Sequence, residues 1–174
     1  MRIPSAIVTG LALTLMLSAC GSGGNSDSSN GPVRPPRKVA ALGPFVGECG
    51  HVTDDEVRAA AGLLQISQVR RNSVGCNWQS AGLDSPSVTF ASYRGSPIDR
   101  ERAWVSTQGR NPQTIDVIGH KGFQSLAPGG QVCDLAVQLG DDFFEWSMSY
   151  GISQGPNPCD RMHKLAELTV QRLQ

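Results

Sequence analysis

Cysteine is the residue type that carries the most chemistry in this chain of 174 residues, and one of the five cysteines stands apart from the rest. Cys20 closes the stretch Leu17-Ser18-Ala19-Cys20, behind an apolar run from Ile7 to Leu17 that follows Met1 and Arg2. A short basic start, about eleven mostly apolar residues and small residues before a cut make an export signal. A cysteine placed first after the cut is an acceptor for a diacylglyceryl thioether, and its new amino group for a further acyl chain. Two or three chains on one residue anchor stably, at about 0.8 kcal/mol per buried methylene. The run itself is too short for a permanent span, which takes about 20 residues. The expectation is therefore a signal over 1–19, cleaved between Ala19 and Cys20, with Cys20 tying the mature chain to the extracytoplasmic face of the cell membrane. The alternative is an ordinary secretory signal with a cysteine there by chance.

The other four cysteines, Cys49, Cys76, Cys133 and Cys159, are an even number in an exported chain, which argues for two disulfides. Three pairings are open. The favoured one joins Cys49 to Cys76 and Cys133 to Cys159, because each bond then ties a helix start to a nearby strand. Loops of about 27 residues would each contribute roughly 3–4 kcal/mol in the chain-entropy model. A metal centre has weak support, since no Cys-x-x-Cys pair occurs and the three histidines are scattered.

Recognition chemistry is best supported at Tyr93-Arg94-Gly95-Ser96-Pro97. A strand ends there, a helix begins with free amide groups, and Arg100 and Arg102 follow, so Tyr93, Arg94, Ser96 and Arg100 are candidates for holding an anionic group. The plain alternative is a serine-capped turn whose arginines pair with Asp99 and Glu101. Asp141, Asp142 and Glu145 raise the thought of paired carboxylates for glycoside hydrolysis, although adjacent aspartates at a hairpin turn more often only solvate it. His51 beside Asp54 and Asp55 is a weak metal candidate, His120 falls in a glycine-bounded turn, and His163 falls on the surface of the last helix. No nucleophile elbow, phosphate loop, zinc-protease or dinucleotide motif is present.

These side chains need elements to position them. Residues 20–41 are rich in Gly, Ser, Asn and Pro and read as the acylated cysteine with a flexible tether, leaving 42–174 as one globular domain. Fifteen basic and fifteen acidic side chains balance, which removes the usual support for nucleic-acid binding. Thr53-Asp54-Asp55-Glu56 is a capping box that opens a helix over about 53–64. Alternation around Cys76 and Trp78, then Val88 and Phe90, predicts a hairpin. Ser96-Pro97 predicts a second helix over about 97–108, with Ser96 as its cap. Short strands at Ile115–Val117 and Phe123 flank a turn at 119–122. Cys133–Leu139 and Phe144–Tyr150 form the clearest hairpin, and Asn157-Pro158 starts a last helix whose apolar stripe packs on the sheet. Trp78, Phe90, Phe144, Trp146 and Tyr150 read as core. Ser87, Thr89, Ala91, Tyr93, Glu145, Ser147 and Ser149 take the opposite parity. If helices leave that face open, it becomes a floor for a ligand or partner. The order α-β-β-α-β-β-β-β-α predicts an α+β fold, a twisted and mainly antiparallel sheet packed with helices.

Gly75-Cys76-Asn77-Trp78, Tyr93-Arg94-Gly95-Ser96-Pro97-Ile98, Arg100-Glu101-Arg102, Asp141-Asp142-Phe143-Phe144-Glu145-Trp146-Ser147 and Pro158-Cys159-Asp160 together resemble the LprB-like lipoproteins of mycobacteria and their relatives. The resemblance covers the signal, the tether and the domain from about Gly43. It implies an actinobacterial envelope lipoprotein and, through related extracellular domains, a likeness to the Mog1/PsbP type of α/β/α sandwich. It brings no catalytic residues and no cofactor beyond the lipid on Cys20. The leading expectation is a non-enzymatic domain that binds an envelope ligand or partner protein. The alternatives are a hydrolase of cell-wall polymers and an envelope lipid carrier, the latter needing an internal apolar cavity.

Overall fold

The computed structural model describes residues 39–82, 85–151 and 155–173, so the signal, Cys20 and nearly all of the tether lie outside the described residues. The elements are α1 (Asp54–Ala61), β1 (Ile66–Asn72), β2 (Gly75–Ser80), β3 (Ser87–Tyr93), α2 (Ile98–Thr107), β4 (Gln113–Val117), β5 (His120–Leu126), β6 (Val132–Leu139), β7 (Asp142–Ser149) and α3 (Pro158–Gln171). The strands form one antiparallel sheet in the order β1-β2-β3-β7-β6-β5-β4. It is two meanders, β1 to β3 and β4 to β7, joined where the last strand of each meets. The fold is α+β.

Period-two alternation decides the two faces. Trp78, Val88, Phe90, Leu135, Val137, Phe144, Trp146 and Met148 are buried on one of them against Val57 and Ala61 of α1 and Met162, Leu165, Ala166 and Val170 of α3. The indoles of Trp78 and Trp146 stack at 5.7 Å between centroids. Each finds a polar partner, as a buried Trp requires: Trp146 Nε1 donates to Thr169 Oγ1 at 3.1 Å and Trp78 Nε1 to Asp54 Oδ1 at 2.7 Å. Gly50, at φ 70°, lies so close to this layer that a Cβ there would stand 2.9 Å from Trp146 Cζ2 and 3.0 Å from Phe90 Cε2. The disulfides are Cys49–Cys76 and Cys133–Cys159, the favoured pairing; the first ties the approach to α1 to β2 and the second ties the first turn of α3 to β6.

Four local expectations change. β1 is an additional strand; only Ile66 and Val69 of its seven residues are half-buried, too few for an alternating signal. α1 has the expected capping box but stops at Ala61, because Gly62 turns left-handed and caps the end through its N–H, leaving Leu64 in solvent. Pro97, not Ser96, is the N-cap of α2, and no side chain caps that helix; Ser96 Oγ instead accepts from Arg100 Nη2 at 3.0 Å. The β4–β5 turn is the two-residue Ile118-Gly119, at φ 50° and 81°, with Asp116 Oδ1 accepting from Gly119 N at 2.7 Å. His120 and Lys121 therefore belong to β5 and not to a loop tip.

Candidate functional site

The second face of the sheet is built from the residues of opposite parity. The strand register lines them into rows. One row runs Arg70, Asn77, Thr89, Ser147, Asp134 and Ser125 across β1, β2, β3, β7, β6 and β5. The next runs Asn72, Gly75, Ala91, Glu145, Ala136 and Phe123 across the same strands. α2 rests only on the far end of this face, where its Ile98 and Val105 meet Phe123, Ala136 and Phe143, with Tyr93 at the margin. α1 and α3 lie on the other face, so the layers are α/β/α, but among the described residues no helix covers β2 or the parts of β3 and β7 away from Tyr93 and Phe143.

On that uncovered half, the absent and minimal side chains of Gly75 and Ala91 leave a hollow of about 300 Å³, walled by Arg70, Asn72, Val74, Asn77 and Thr89. Asn77 Nδ2 donates to Thr89 Oγ1 at 2.9 Å, and Ser147 Oγ donates to Asp134 Oδ1 at 2.7 Å, which fixes the floor side chains in place. Such a surface offers amide and hydroxyl groups at defined spacing without large side chains in the way, the kind of concavity ligands use.

Where the open half meets α2 stands Glu145. Its Oε2 is buried without a hydrogen-bond partner. Burial, and secondly the Glu101 carboxylate on α2, push its carboxyl up to about 7, with Arg110 pulling the other way. Tyr93 is pushed to about 12 by burial and by Glu145 and Glu101. Arg110 itself pairs with Asp134 on β6. Arg110 and Arg70 were not singled out by sequence reasoning, and Glu101 was read only as a partner for the helix arginines; the three come from separate segments and only the fold collects them.

Of the four residues that the sequence joined into an anion site, the structure brings Ser96 and Arg100 together and turns Tyr93 and Arg94 to other partners. Arg94 Nη1 lies 3.0 Å from Asp142 Oδ2 and donates to the carbonyl oxygens of Gly43 at 3.1 Å and Pro44 at 3.4 Å, so its charge is spent holding the entering chain. Tyr93 stacks on Phe143 at 4.4 Å. Arg100 reaches Ser96. Arg102 Nη2 donates to the Gly122 carbonyl and its guanidinium lies 5.0 Å over Phe123, so neither Asp99 nor Glu101 is its partner. The three acids near the last hairpin also part company: alternation turns Asp142 away from the face that carries Glu145, and Asp141 Oδ2 accepts from Ala41 N at 2.6 Å. His51 contacts the Phe45 carbonyl, while Asp54 serves Arg71 and Trp78, and no group of three metal-ligating side chains occurs among the described residues. His163 pairs along its helix with Glu167 at 3.5 Å.

A small exported-type domain with two disulfides, an α+β sandwich and a half-open polar sheet face is the class that fold and site define. The chain belongs to the family described as "Protein of unknown function (DUF3558)", which matches residues 15–172. It is 32% identical over 175 residues to proteins named "Putative lipoprotein LprB" from Mycobacterium bovis and Mycobacterium tuberculosis, covering 97% of this chain and 95% of each relative. The protein of that name from Mycobacterium leprae is 31% identical over 162 residues, 89% of this chain and 86% of the relative. No solved structure matches. The LprB-like resemblance is thus the family relation of the chain.

Proposed function

We propose that this protein is an envelope lipoprotein, held at the extracytoplasmic face of the cell membrane through acylated Cys20, whose domain binds an envelope ligand or partner on the open half of its sheet without catalysing a reaction. The anchor is supported by the signal and cysteine at residues 1–20 together with the lipoprotein names of the relatives. The binding reading is carried by one observation, the hollow of about 300 Å³ over Gly75 and Ala91 in a polar sheet face that α2 leaves uncovered.

The other two readings draw less support. A wall-polymer hydrolase built on the acids of the last hairpin would need Asp142 to face Glu145, and Asp142 instead accepts from Arg94, Gly43 and Gly95; the carboxylate that does stand near Glu145 is Glu101 of α2. A lipid carrier would need room between sheet and helices, where Trp78, Phe90 and Trp146 are fully buried against one another.

The anchor is tested by Cys20→Ser: the protein leaves the membrane fraction, and unchanged retention removes the claim. The binding face is tested by native mass spectrometry of protein purified from its own envelope. Wild type retains a bound molecule that Ala91→Trp, which fills the hollow, and Thr89→Arg, which crosses it, both lose. A molecule retained equally by folded wild type and both variants refutes this face as the site.

A further inference from the structure

α2 sits on the sheet in a different manner from the other two helices. Of its ten residues only Ile98 and Val105 are buried, and they join a small cluster separate from the main core. Trp104, the largest side chain of the helix, is 59% exposed. The helix has no side-chain cap at its start. Its remaining attachments are polar and few: Arg102 to the Gly122 carbonyl, and Arg110, just past its end, to Asp134.

Beside the sheet residues on which α2 rests lies a buried atom with no hydrogen-bond partner, Glu145 Oε2. Glu145 lies at the edge of the contact region, between Ala136 on β6, which α2 covers, and Ala91 on β3, which it does not. An unpartnered buried polar atom costs on the order of 1–3 kcal/mol and more when charged. Lifting α2 returns such a group to water. The same motion enlarges the hollow, because Ala91 at its floor and Glu145 at the edge of the helix contact are direct cross-strand neighbours.

We propose that α2 is a movable cover over the Glu145 edge of the sheet-face site, closed while Glu145 is neutral and released when Glu145 ionises. As a cover it rests on the binding reading above. The charged groups that act on Glu145 are Glu101 from α2 and Arg110 from the segment after it; Tyr93 from β3 feels the Glu145 charge in turn, Asp134 of β6 is the partner of Arg110, and the Glu145 row on β5 holds Phe123, under Arg102. Asp134 already holds Arg110, and Arg102 is engaged over Phe123. Burial and the Glu101 carboxylate disfavour a negative charge at Glu145 and outweigh Arg110, so the balance around it resists ionisation with the helix down.

The sign follows from linkage. With α2 closed, Glu145 titrates near 7; in water a glutamate titrates near 4.5. The open state therefore gains on the closed one as pH rises from 4.5 to 7, and the gain is complete above 7. The expected increase in opening is on the order of 40-fold between pH 5 and pH 7, with less than about twofold more at pH 8.

Hydrogen–deuterium exchange of the full-length protein in detergent micelles reads this directly. After correction for intrinsic exchange, amides of α2 lose protection on the order of 40-fold from pH 5 to pH 7, while amides of α3 do not change. Glu145→Gln, which cannot ionise, keeps α2 protected at both pH values. Glu101→Gln shifts the midpoint to lower pH, which supplies the same reading should Glu145→Gln fail to fold. Protection of α2 that changes less than threefold in wild type, or a pH dependence that Glu145→Gln or Glu101→Gln leaves unmoved, overturns the cover. No ligand enters the measurement, so that failure leaves the binding reading standing, whereas failure of the Ala91→Trp and Thr89→Arg test removes the site and not the pH response of α2.

Discussion

The Asp142 carboxylate gathers the Arg94 guanidinium at 3.0 Å, and the same two oxygens accept from Gly95 N at 2.6 Å and Gly43 N at 3.0 Å. With Asp142 only 3% exposed, this is a nearly buried charge satisfied by three donors from separate segments. It fastens the segment around Gly43 to the start of β7. Removing the carboxylate leaves a guanidinium and two amides without their partner.

Asp142→Ala accordingly costs about 3 kcal/mol of unfolding free energy. It also frees the entering segment, so limited proteolysis cuts near Leu42–Phe45 faster than in wild type. Arg94→Ala costs less, because the two amides keep their acceptor. Urea denaturation of the three proteins checks the order, and equal midpoints would contradict it.

Each disulfide closes a loop of 27 or 26 residues. In the chain-entropy model either bond contributes roughly 3–4 kcal/mol, and both together are comparable to the whole stability of about 5–15 kcal/mol typical of a domain. Thermal melts followed by near-ultraviolet circular dichroism should show the paired replacement Cys133→Ser with Cys159→Ser melting well below wild type. Full reduction should abolish the cooperative transition, and a melt indifferent to reductant would refute the staple.

Ile118 holds a left-handed backbone at φ 50° with its side chain 48% exposed. A β-branched residue there costs about 1–2 kcal/mol, whereas Asn suits the first place of this turn type. Ile118→Asn therefore raises stability by about 1 kcal/mol. A higher melting temperature is the expected readout, and a lower one would mean that the isoleucine side chain supports the fold.

Glu56 connects the start of α1 to the end of α3. A hydrogen bond from Arg172, then one from the Thr53 amide, hold its carboxyl down at about 2, against 4.5 for a free glutamate. A depressed acid stabilises the fold above its unfolded value and loses that contribution as pH falls through the folded one. The stability gap between wild type and Glu56→Gln is therefore constant above pH 5 and closes between pH 4.5 and 2 in urea titrations. A gap that persists at pH 2 would be inconsistent with this pair.

Much of the fold is legible along the chain because it is written in local periodicity. Thr53 and Glu56 announce α1, alternation around Trp78, Phe90, Leu135 and Trp146 marks four strands and their buried parity, and the stripe from Met162 to Val170 marks α3. The disulfide pairing follows from the same placement. β1 was not legible, since an edge strand with two half-buried residues lacks the alternation that burial on one face imposes. Ser96 carried a capping signal that Pro97 overrode by taking the N-cap position itself.

By itself the sequence raised the expectation of an export signal ending at Cys20 and determined the α+β class, the core parity and an even set of four further cysteines, all properties that depend on a residue and its near neighbours. The tertiary structure decided which strand lies beside which, above all the pairing of β3 with β7, and with it every relation across the sheet. The hollow at Ala91, the position of Glu145 between Ala91 and Ala136, and the capture of Arg94 by Asp142 all depend on strand order and helix placement. Those follow from minimising exposed apolar surface and unpaired polar groups over the whole chain, a sum that no local pattern contains.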